Sequence, residues 1–420
     1  MLKRVGAVVG IAAVFAVAVA ATLGGTASAK VAKQSALCKK AGLGFAGPVS
    51  GPAAFLGNDQ SNWVRLFISK WNSKAKIPGV PKKLHRVKLT LAKIGDSQLN
   101  PQAAATVARD MVADKKILGM VGFAGSNENL GGGPVLDAAK LAYVSGSATK
   151  DSLTTGAQGQ PRLKYFYRVV PNNSQQAKAG VSYITQKLGL KSGSKVLIVD
   201  DAEAYGIDIA NAAQKGFKAK HIVTIRDSVP ESTSGSTADF STEANKAVAS
   251  RVKLVYAPTQ TASDSQHFEQ QLHQAGYHGA FMATDGSVDP SNFTYAGAYV
   301  SFFGPSIQNV NSKFVKAFKA RFGAKSATDP FGAPSFVAAE MLGVAISKEC
   351  SAVHGKLPSK ISAVRGAVAK KLAKVKLSST ILGYSMAFNN PVDAHHGPNA
   401  GVTVFQIQSN GSYKEVYAAG

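Results

Sequence analysis

The stretch from Leu118 to Thr154 constrains the fold of this chain most strongly, because its pattern alternates between strand, polar turn and helix. Leu118–Phe123 is a short apolar run that is typical of a buried strand. Asp137–Ala142 has the spacing of a helix, and Ala142–Val144 begins a second strand. This alternation predicts an α/β fold built on a parallel sheet.

Hydroxyl-bearing and small residues follow both strands. Ser126 and Asn127 come after the first strand, and Ser145–Thr149 comes after the second. The carboxyl ends of parallel strands meet at one edge of the sheet, where open α/β sheets bind their ligands. A polar turn that opens a helix also offers free backbone N–H groups to an anion. Each serine alone equally fits an ordinary cap or turn, but two such turns one strand apart favour a binding site.

The first residues carry the pattern of a secretory signal. Lys3-Arg4 precedes a run of small apolar residues over Val5–Leu23, and Ala27-Ser-Ala29 supplies a cleavage motif. We predict a signal peptide over residues 1–29 and an exported protein, periplasmic, extracellular or associated with the cell envelope. A retained membrane anchor is the alternative. The residues before Cys38 make a poor lipobox, so no lipid anchor is predicted.

The chain has a formal net charge of +24, and its lysines and arginines are densest over Lys74–Lys88 and Lys356–Lys376. Neither segment has interleaved aromatic residues or a nucleic-acid-binding motif, so we expect a solvated surface and no nucleic-acid partner. Contact with an anionic cell envelope is the alternative.

Catalytic motifs are absent from the sequence: it has no nucleophile elbow, phosphate-binding loop or zinc-protease motif. Gly42-x-Gly44-x-x-Gly47 has dinucleotide-binding spacing, but prolines follow it where a helix would have to begin. His395-His396 beside Asp393 favours a solvated loop over a metal site, because adjacent side chains do not share a helical face. We therefore predict that the protein is not an enzyme and holds neither cofactor nor metal.

Val121–Ser126 and Ser145–Thr149 resemble two segments that line the ligand cleft in the leucine/isoleucine/valine-binding protein family. These are the type I solute-binding proteins of ABC transporters. Gly95–Pro101 and Asp201–Gly206 resemble further turns of that family, and the matches extend over nearly all of the chain after the signal. The resemblance implies two Rossmann-like lobes, the type I periplasmic binding protein fold, joined by a three-stranded hinge. Lobe 1 would comprise residues 36–170 and 306–386, and lobe 2 residues 172–304 and 390–420.

The family's ligand site can be carried over onto matching residues. Ser126, Ser147 and Thr149 would hold an amino acid's carboxylate, together with backbone N–H groups of segments that include Asn127 and Ala148. Asp285 would bind the ammonium, although an acid before a glycine at a strand end equally fits a turn. Tyr205 would reach the cleft from lobe 2, and Phe55 and Leu56 suggest an apolar or amide-bearing ligand. The chain departs from the family pattern at Pro258-Thr259 and at Gly131–Gly133, which affects the side-chain pocket more than the rest of the site.

The two cysteines, Cys38 and Cys350, would both lie in lobe 1, and whether they pair is left open. The resemblance implies a monomeric protein that captures an amino acid, branched-chain or otherwise apolar or amide-bearing, and presents it to ABC permease subunits. The alternatives are an extracellular sensing subunit for a receptor and a basic protein that binds the cell envelope.

Overall fold

The computed structural model describes residues 35–157, 159–231, 237–323, 330–389, 393–396 and 401–419, with only the backbone of Asn389 and of 393–396. The predicted signal peptide and the histidine side chains at 395 and 396 lie outside this description. In chain order the strands are β1 (Lys40–Gly47), β2 (Lys88–Asp96), β3 (Ile117–Val121), β4 (Tyr143–Ser145), β5 (Phe166–Arg168), β6 (Lys195–Asp200), β7 (Val223–Ser228), β8 (Leu254–Ala257), β9 (Ala280–Ala283), β10 (Tyr299–Phe303), β11 (Lys376–Leu377), β12 (Met386–Asn389), β13 (Asp393–His396), β14 (Val402–Ile407) and β15 (Tyr413–Ala419).

The α-helices are α1 (Ala36–Lys39), α2 (Ala54–Asn72), α3 (Pro101–Ala113), α4 (Ser126–Ala138), α5 (Ser152–Thr155), α6 (Asn173–Gln186), α7 (Ala204–Lys218), α8 (Ser241–Ala249), α9 (Ala262–Gln274), α10 (Ser312–Phe322), α11 (Gly332–Ala352) and α12 (Ile361–Leu372). The 3-10 turns Asp285–Ser287 and Ile307–Asn309 complete the helical elements. Asn100 caps α3 as its sequence predicts, because its side chain accepts hydrogen bonds from the backbone N–H groups of Gln102 and Ala103.

Two sheets divide the molecule into two lobes, so the predicted α/β class and the two-lobed fold are confirmed. Lobe 1 is built on a parallel five-stranded sheet in the order β2-β1-β3-β4-β5. Lobe 2 is built on a seven-stranded sheet in the order β15-β14-β10-β9-β8-β6-β7, in which the closing hairpin β14–β15 is antiparallel. A small antiparallel sheet, β11-β12-β13, stands apart from both. The residue boundaries of the lobes and the three-stranded hinge stay predictions.

Each large sheet carries an apolar core on both faces, as alternation along its strands requires. In β6, Leu197 and Val199 belong to one buried cluster, whereas Val196 and Ile198 belong to the cluster on the opposite face. Strands buried on both faces consist of continuous apolar runs, which is why the sequence located them well.

α2, α10 and α11 pack together on lobe 1 through aromatic side chains. The rings of Trp63 and Phe318 stack with centroids 4.4 Å apart, and Phe336 meets the ring of Phe314 edge-on at 5.3 Å. A disulfide joins Cys38 on α1 to Cys350 on α11, whose Cα atoms lie 5.5 Å apart. The disulfide thereby fastens α1, which precedes lobe 2 in sequence, to a helix that follows most of lobe 2.

Several elements differ from their sequence-based bounds. The apolar stripe of the sequence predicts a helix over Ser61–Asn72, whereas α2 begins at Ala54, where no side chain caps its start to mark the boundary. α4 begins at Ser126 and continues through Gly131–Gly133, which the sequence left as an unexpected glycine run. These glycines allow close packing, because a Cβ at Gly131 would overlap the Pro101 carbonyl and one at Gly132 would overlap the Phe123 ring.

Candidate ligand-binding site

A small cavity lies between the carboxyl edges of the two sheets. It has a volume of about 30 Å³, which is room for one or two water molecules. Its walls come from both lobes, and the residues that line it are Leu56, Leu99, Ala124, Gly125, Ser126, Ser147, Tyr205, Gln260, Asp285, Gly286 and Phe331. The structure thus brings together five residues that the sequence assigned to the ligand: Leu56, Ser126, Ser147, Tyr205 and Asp285.

The lobe 1 wall is formed where β3 and β4, which are neighbours in the sheet, both end. Ser126 is the first residue of α4, so its backbone N–H and that of Asn127 have no partner within the helix. These N–H groups and the positive end of the helix dipole suit a carboxylate. The Ser126 hydroxyl accepts a hydrogen bond from the backbone N–H of Lys150 at 3.2 Å, which joins the two turns.

The second turn is more fully hydrogen-bonded than the sequence suggested. The Ser145 hydroxyl accepts hydrogen bonds from the backbone N–H groups of Ser147 and Ala148, at 3.2 and 2.9 Å. The Ser147 hydroxyl donates to the Ala124 carbonyl at 2.8 Å. Two of the N–H groups that were expected to face a ligand therefore already have partners, and the anion-binding capacity of this wall lies mainly at the start of α4.

Two buried side chains that the sequence analysis missed hold this wall in place. Gln60 donates its amide to the Ser147 hydroxyl at 2.8 Å and accepts a hydrogen bond from Ser335 at 3.0 Å. Glu128 accepts hydrogen bonds from the Ser97 hydroxyl and the Gly125 backbone N–H, and burial raises its pKa to about 7. Gln60 had a signal in the sequence, since it is a polar residue on the apolar face of α2.

The lobe 2 wall centres on a buried acid. Tyr205 donates its phenolic hydroxyl to Asp285 Oδ1 at 2.6 Å, and the Thr284 hydroxyl lies 2.6 Å from the same phenolic oxygen. Asp285 is 4 % exposed. Burial raises its pKa to about 7 against the opposing effect of the hydrogen bond from Tyr205. Among the residues that the structure describes, no cationic side chain pairs with this carboxyl group.

The loops of lobe 2 are positioned by a second buried carboxyl group. Asp201 accepts hydrogen bonds from the backbone N–H groups of Glu203 and Gln260, at 2.9 and 2.8 Å. Burial raises its pKa well above the usual value. A Cβ at Gly206 would overlap the Asp201 side chain, so the turn requires glycine there. Gln260 is held by its hydrogen bond to Asp201 and lines the cavity. Its position after β8, at the carboxyl edge of the sheet, is the feature of the sequence that could have identified it.

The remaining predicted site residues lie near the cavity without lining it. Ala148 and Thr149 are buried in the second turn behind Ser147. Phe55 packs edge-on against Phe331, with ring centroids 6.1 Å apart. Asn127 faces a neighbouring cavity of about 390 Å³, where its amide lies 3.4 Å from Glu203 Oε2 across the cleft. The structure therefore separates this asparagine from the inner cavity.

Comparison with known proteins decides the family. A family model described as periplasmic binding protein matches residues 41–412. The chain belongs to the periplasmic binding protein family. It is a solute-binding protein of the type I class, similar to leucine/isoleucine/valine-binding proteins, and the predicted resemblance is confirmed.

Three relatives illustrate the similarity. The Leu/Ile/Val-binding protein homolog 7 of Brucella abortus is 23% identical over 370 residues, which are 83% of this chain and 84% of the relative. The structure of the leucine binding protein LivK of Thermotoga maritima matches with a TM-score of 0.73 and 19% identity, covering 90% of this chain and 99% of LivK. The structure of LivJ of Streptococcus pneumoniae in complex with isoleucine matches with a TM-score of 0.68 and 19% identity, covering 91% of this chain and 99% of LivJ.

The family consists of substrate-binding proteins that work with ABC transporter components, and this periplasmic binding protein is not an enzyme. Membership also implies an exported location. Within the ranges that the structure describes, no helix combines the length and apolarity that a bilayer crossing needs.

Proposed function

We propose that this periplasmic binding protein captures an amino acid in the cleft between its lobes and delivers it to an ABC permease as an exported monomer. The observation that carries the proposal is Asp285, a buried carboxyl group without a cationic partner among the described residues, opposite the free N–H groups at the start of α4. An α-amino acid offers an ammonium and a carboxylate whose charges complement those two walls.

The side-chain end of the ligand would be apolar or amide-bearing. Leu56, Leu99 and Phe331 supply apolar surface to the cavity, and Gln260 supplies an amide. The names of the relatives, which include leucine-, isoleucine- and valine-binding proteins, support a branched-chain amino acid. The inner cavity of about 30 Å³ is too small for such a molecule, so the lobes would separate to admit it and close around it.

The test compares leucine with two analogues that each lack one charged group: isocaproate, without the amine, and isoamylamine, without the carboxylate. Calorimetry on the wild type should show strong binding of leucine and much weaker binding of both analogues. Asp285→Asn removes the carboxylate that pairs with the ammonium and should weaken leucine binding about a hundredfold or more, since an unpaired buried charge costs roughly 3–5 kcal/mol.

Isocaproate is the matched control for this variant, because it has no ammonium that could pair with Asp285. Its affinity should change little in Asp285→Asn. Equal binding of isocaproate and leucine to the wild type would show that the ligand is an acid without an amine and would overturn the proposal. If leucine is too weak a ligand, the same comparison applies to whichever amino acid raises the melting temperature by about 2–4 °C in a screen.

A further inference from the structure

A further cavity, larger than both cavities at the cleft, lies against the core of lobe 1. It is a groove of about 680 Å³, formed by the loop that follows α2 and by the paired strands β11 and β12. Its lining residues come from the segments 76–82, 376–378 and 385–387, and none of them lines the ligand cavity.

The floor of this groove is apolar and fixed. Ile77, Val80, Leu377 and Met386 line it and are also members of the buried core of lobe 1. The loop is tightly packed against the segment after β11, since a Cβ at Gly79 would overlap the Ser379 carbonyl oxygen. The groove is therefore preformed, and a partner would not have to order it on binding.

The rim of the groove is basic. Lys76 and Lys82 come from one lysine-rich segment and Lys376 from the other, so the fold brings together two segments that lie about 300 residues apart. All three lysines are exposed, and no aspartate or glutamate lines the groove. Over the ranges that the structure describes, none of the three forms an ion pair. Their charges add over a concave surface, which attracts an anionic partner.

We propose that this groove binds an acidic peptide segment that carries apolar side chains. An acidic residue of such a segment would pair with the rim lysines while its apolar side chains contact the floor. A flat anionic membrane would meet the lysines but would not reach the floor, and a small inorganic anion would leave the floor exposed. The groove volume lies within the size range of ligand-binding clefts. This inference is independent of the amino-acid site.

The experiment uses the full mature chain and a fluorescein-labelled peptide of about 12 residues, in which two leucines are flanked by glutamates. Fluorescence anisotropy at low salt should show saturable binding that weakens as salt is added. Replacing the leucines by glycine should weaken binding several-fold, and replacing the glutamates by glutamine should abolish it. The variant Lys76→Glu with Lys82→Glu and Lys376→Glu should lose at least tenfold in affinity.

A matched variant separates the groove from the general charge of the protein. Lys178→Glu with Lys215→Glu and Lys220→Glu removes three exposed lysines of lobe 2 and leaves the same net charge. It should bind the peptide as the wild type does. The proposal is overturned if both triple variants lose affinity equally, if the glycine peptide binds as tightly as the leucine peptide, or if no peptide binds. Binding to phosphatidylglycerol vesicles without peptide binding would assign the lysines to a membrane surface instead.

Discussion

At the residue scale, the ionisation of Asp285 is coupled to the ligand. Burial raises its pKa to about 7, so below pH 7 the carboxyl group is largely protonated and cannot pair with an ammonium until it releases its proton. The affinity for an amino acid should therefore fall about tenfold for each pH unit below 7 and level off above it. Calorimetry between pH 5 and 8, in buffers of different ionisation enthalpy, measures both the affinity and the proton released.

Glu128 is the control for this pH dependence, because burial raises its pKa to about 7 as well. It lies behind the opposite wall, where it binds Gly125 and Ser97 rather than the ligand. Glu128→Gln should keep the pH slope of binding, whereas Asp285→Asn should lose it. A slope that survives in Asp285→Asn would assign the proton to another group.

The same two carboxyl groups affect the stability of the protein without ligand. Their folded pKa values lie above those of the unfolded chain, so ionisation disfavours the folded state. The free energy of unfolding is unaffected by these two groups below about pH 4. It decreases as the pH rises from there to 7.

The sequence predicted which single residues lie together at the carboxyl edges better than it predicted their surroundings. Ser126, Ser147, Tyr205 and Asp285 each follow a strand, and the rule that parallel strands end at a common edge places them together. Nothing in their spacing showed that the Ser145 hydroxyl would take up the backbone N–H groups of the second turn. Such pairings depend on side-chain positions that are set by packing between distant segments.

At the scale of single elements, the three glycines of α4 show how packing overrides helix propensity. Gly131→Ala removes a residue that disfavours helices but places a methyl group against the Pro101 carbonyl on α3. We expect the unfolding free energy to fall by roughly 1–3 kcal/mol through overpacking, as measured by urea denaturation.

Gly366 in α12 is the matched control, since the nearest atom to its added Cβ would be Lys140 Cδ at 3.5 Å. Gly366→Ala should raise the stability by about 0.5–1 kcal/mol because alanine is the better helix former. Equal effects of the two substitutions, in either direction, would contradict this account of α4.

These examples also explain which elements the sequence predicted. The sequence predicts a strand over Lys195–Asp200 and a helix over Ser312–Phe322, and these are the observed bounds of β6 and α10. The apolar run of β6 lies between two charged residues, and α10 lies between a capping asparagine and a glycine. The strand β7 was not predicted, since it lies at an edge of its sheet and none of its residues is fully buried. The helix predicted over Asp137–Ala142 overlaps α4 only at its last two residues, because the three glycines in the middle of α4 serve a close packing that is visible only in three dimensions.

At the scale of the whole molecule, a polar contact joins the lobes beside the cleft. Asp208 on α7 accepts a hydrogen bond from the backbone N–H of Asp151 at 3.0 Å and pairs with Lys150 Nζ at 3.4 Å. Both partners follow the second turn of lobe 1. Asp208→Asn removes the charge of this contact, so the closed arrangement should lose stability and amino-acid affinity should fall several-fold.

Small-angle scattering checks the cause, since the variant should be more expanded than the wild type at the same subsaturating ligand concentration. Asp110→Asn is the control, because Asp110 pairs with Lys93 on the exposed surface of lobe 1 at 3.2 Å. If both variants keep wild-type affinity and scattering, the contact does not stabilise closure.

The disulfide between Cys38 and Cys350 has a consequence for how the chain can be cut. The two cysteines are 312 residues apart, so the bond closes most of the protein into a covalent ring with the β14–β15 hairpin on a tail. Lobe 2 therefore draws most of its strands from the ring and its last two from the tail. A single break in the ring releases no fragment: a protease-nicked molecule would migrate as one band without reductant and as two bands once the disulfide is reduced.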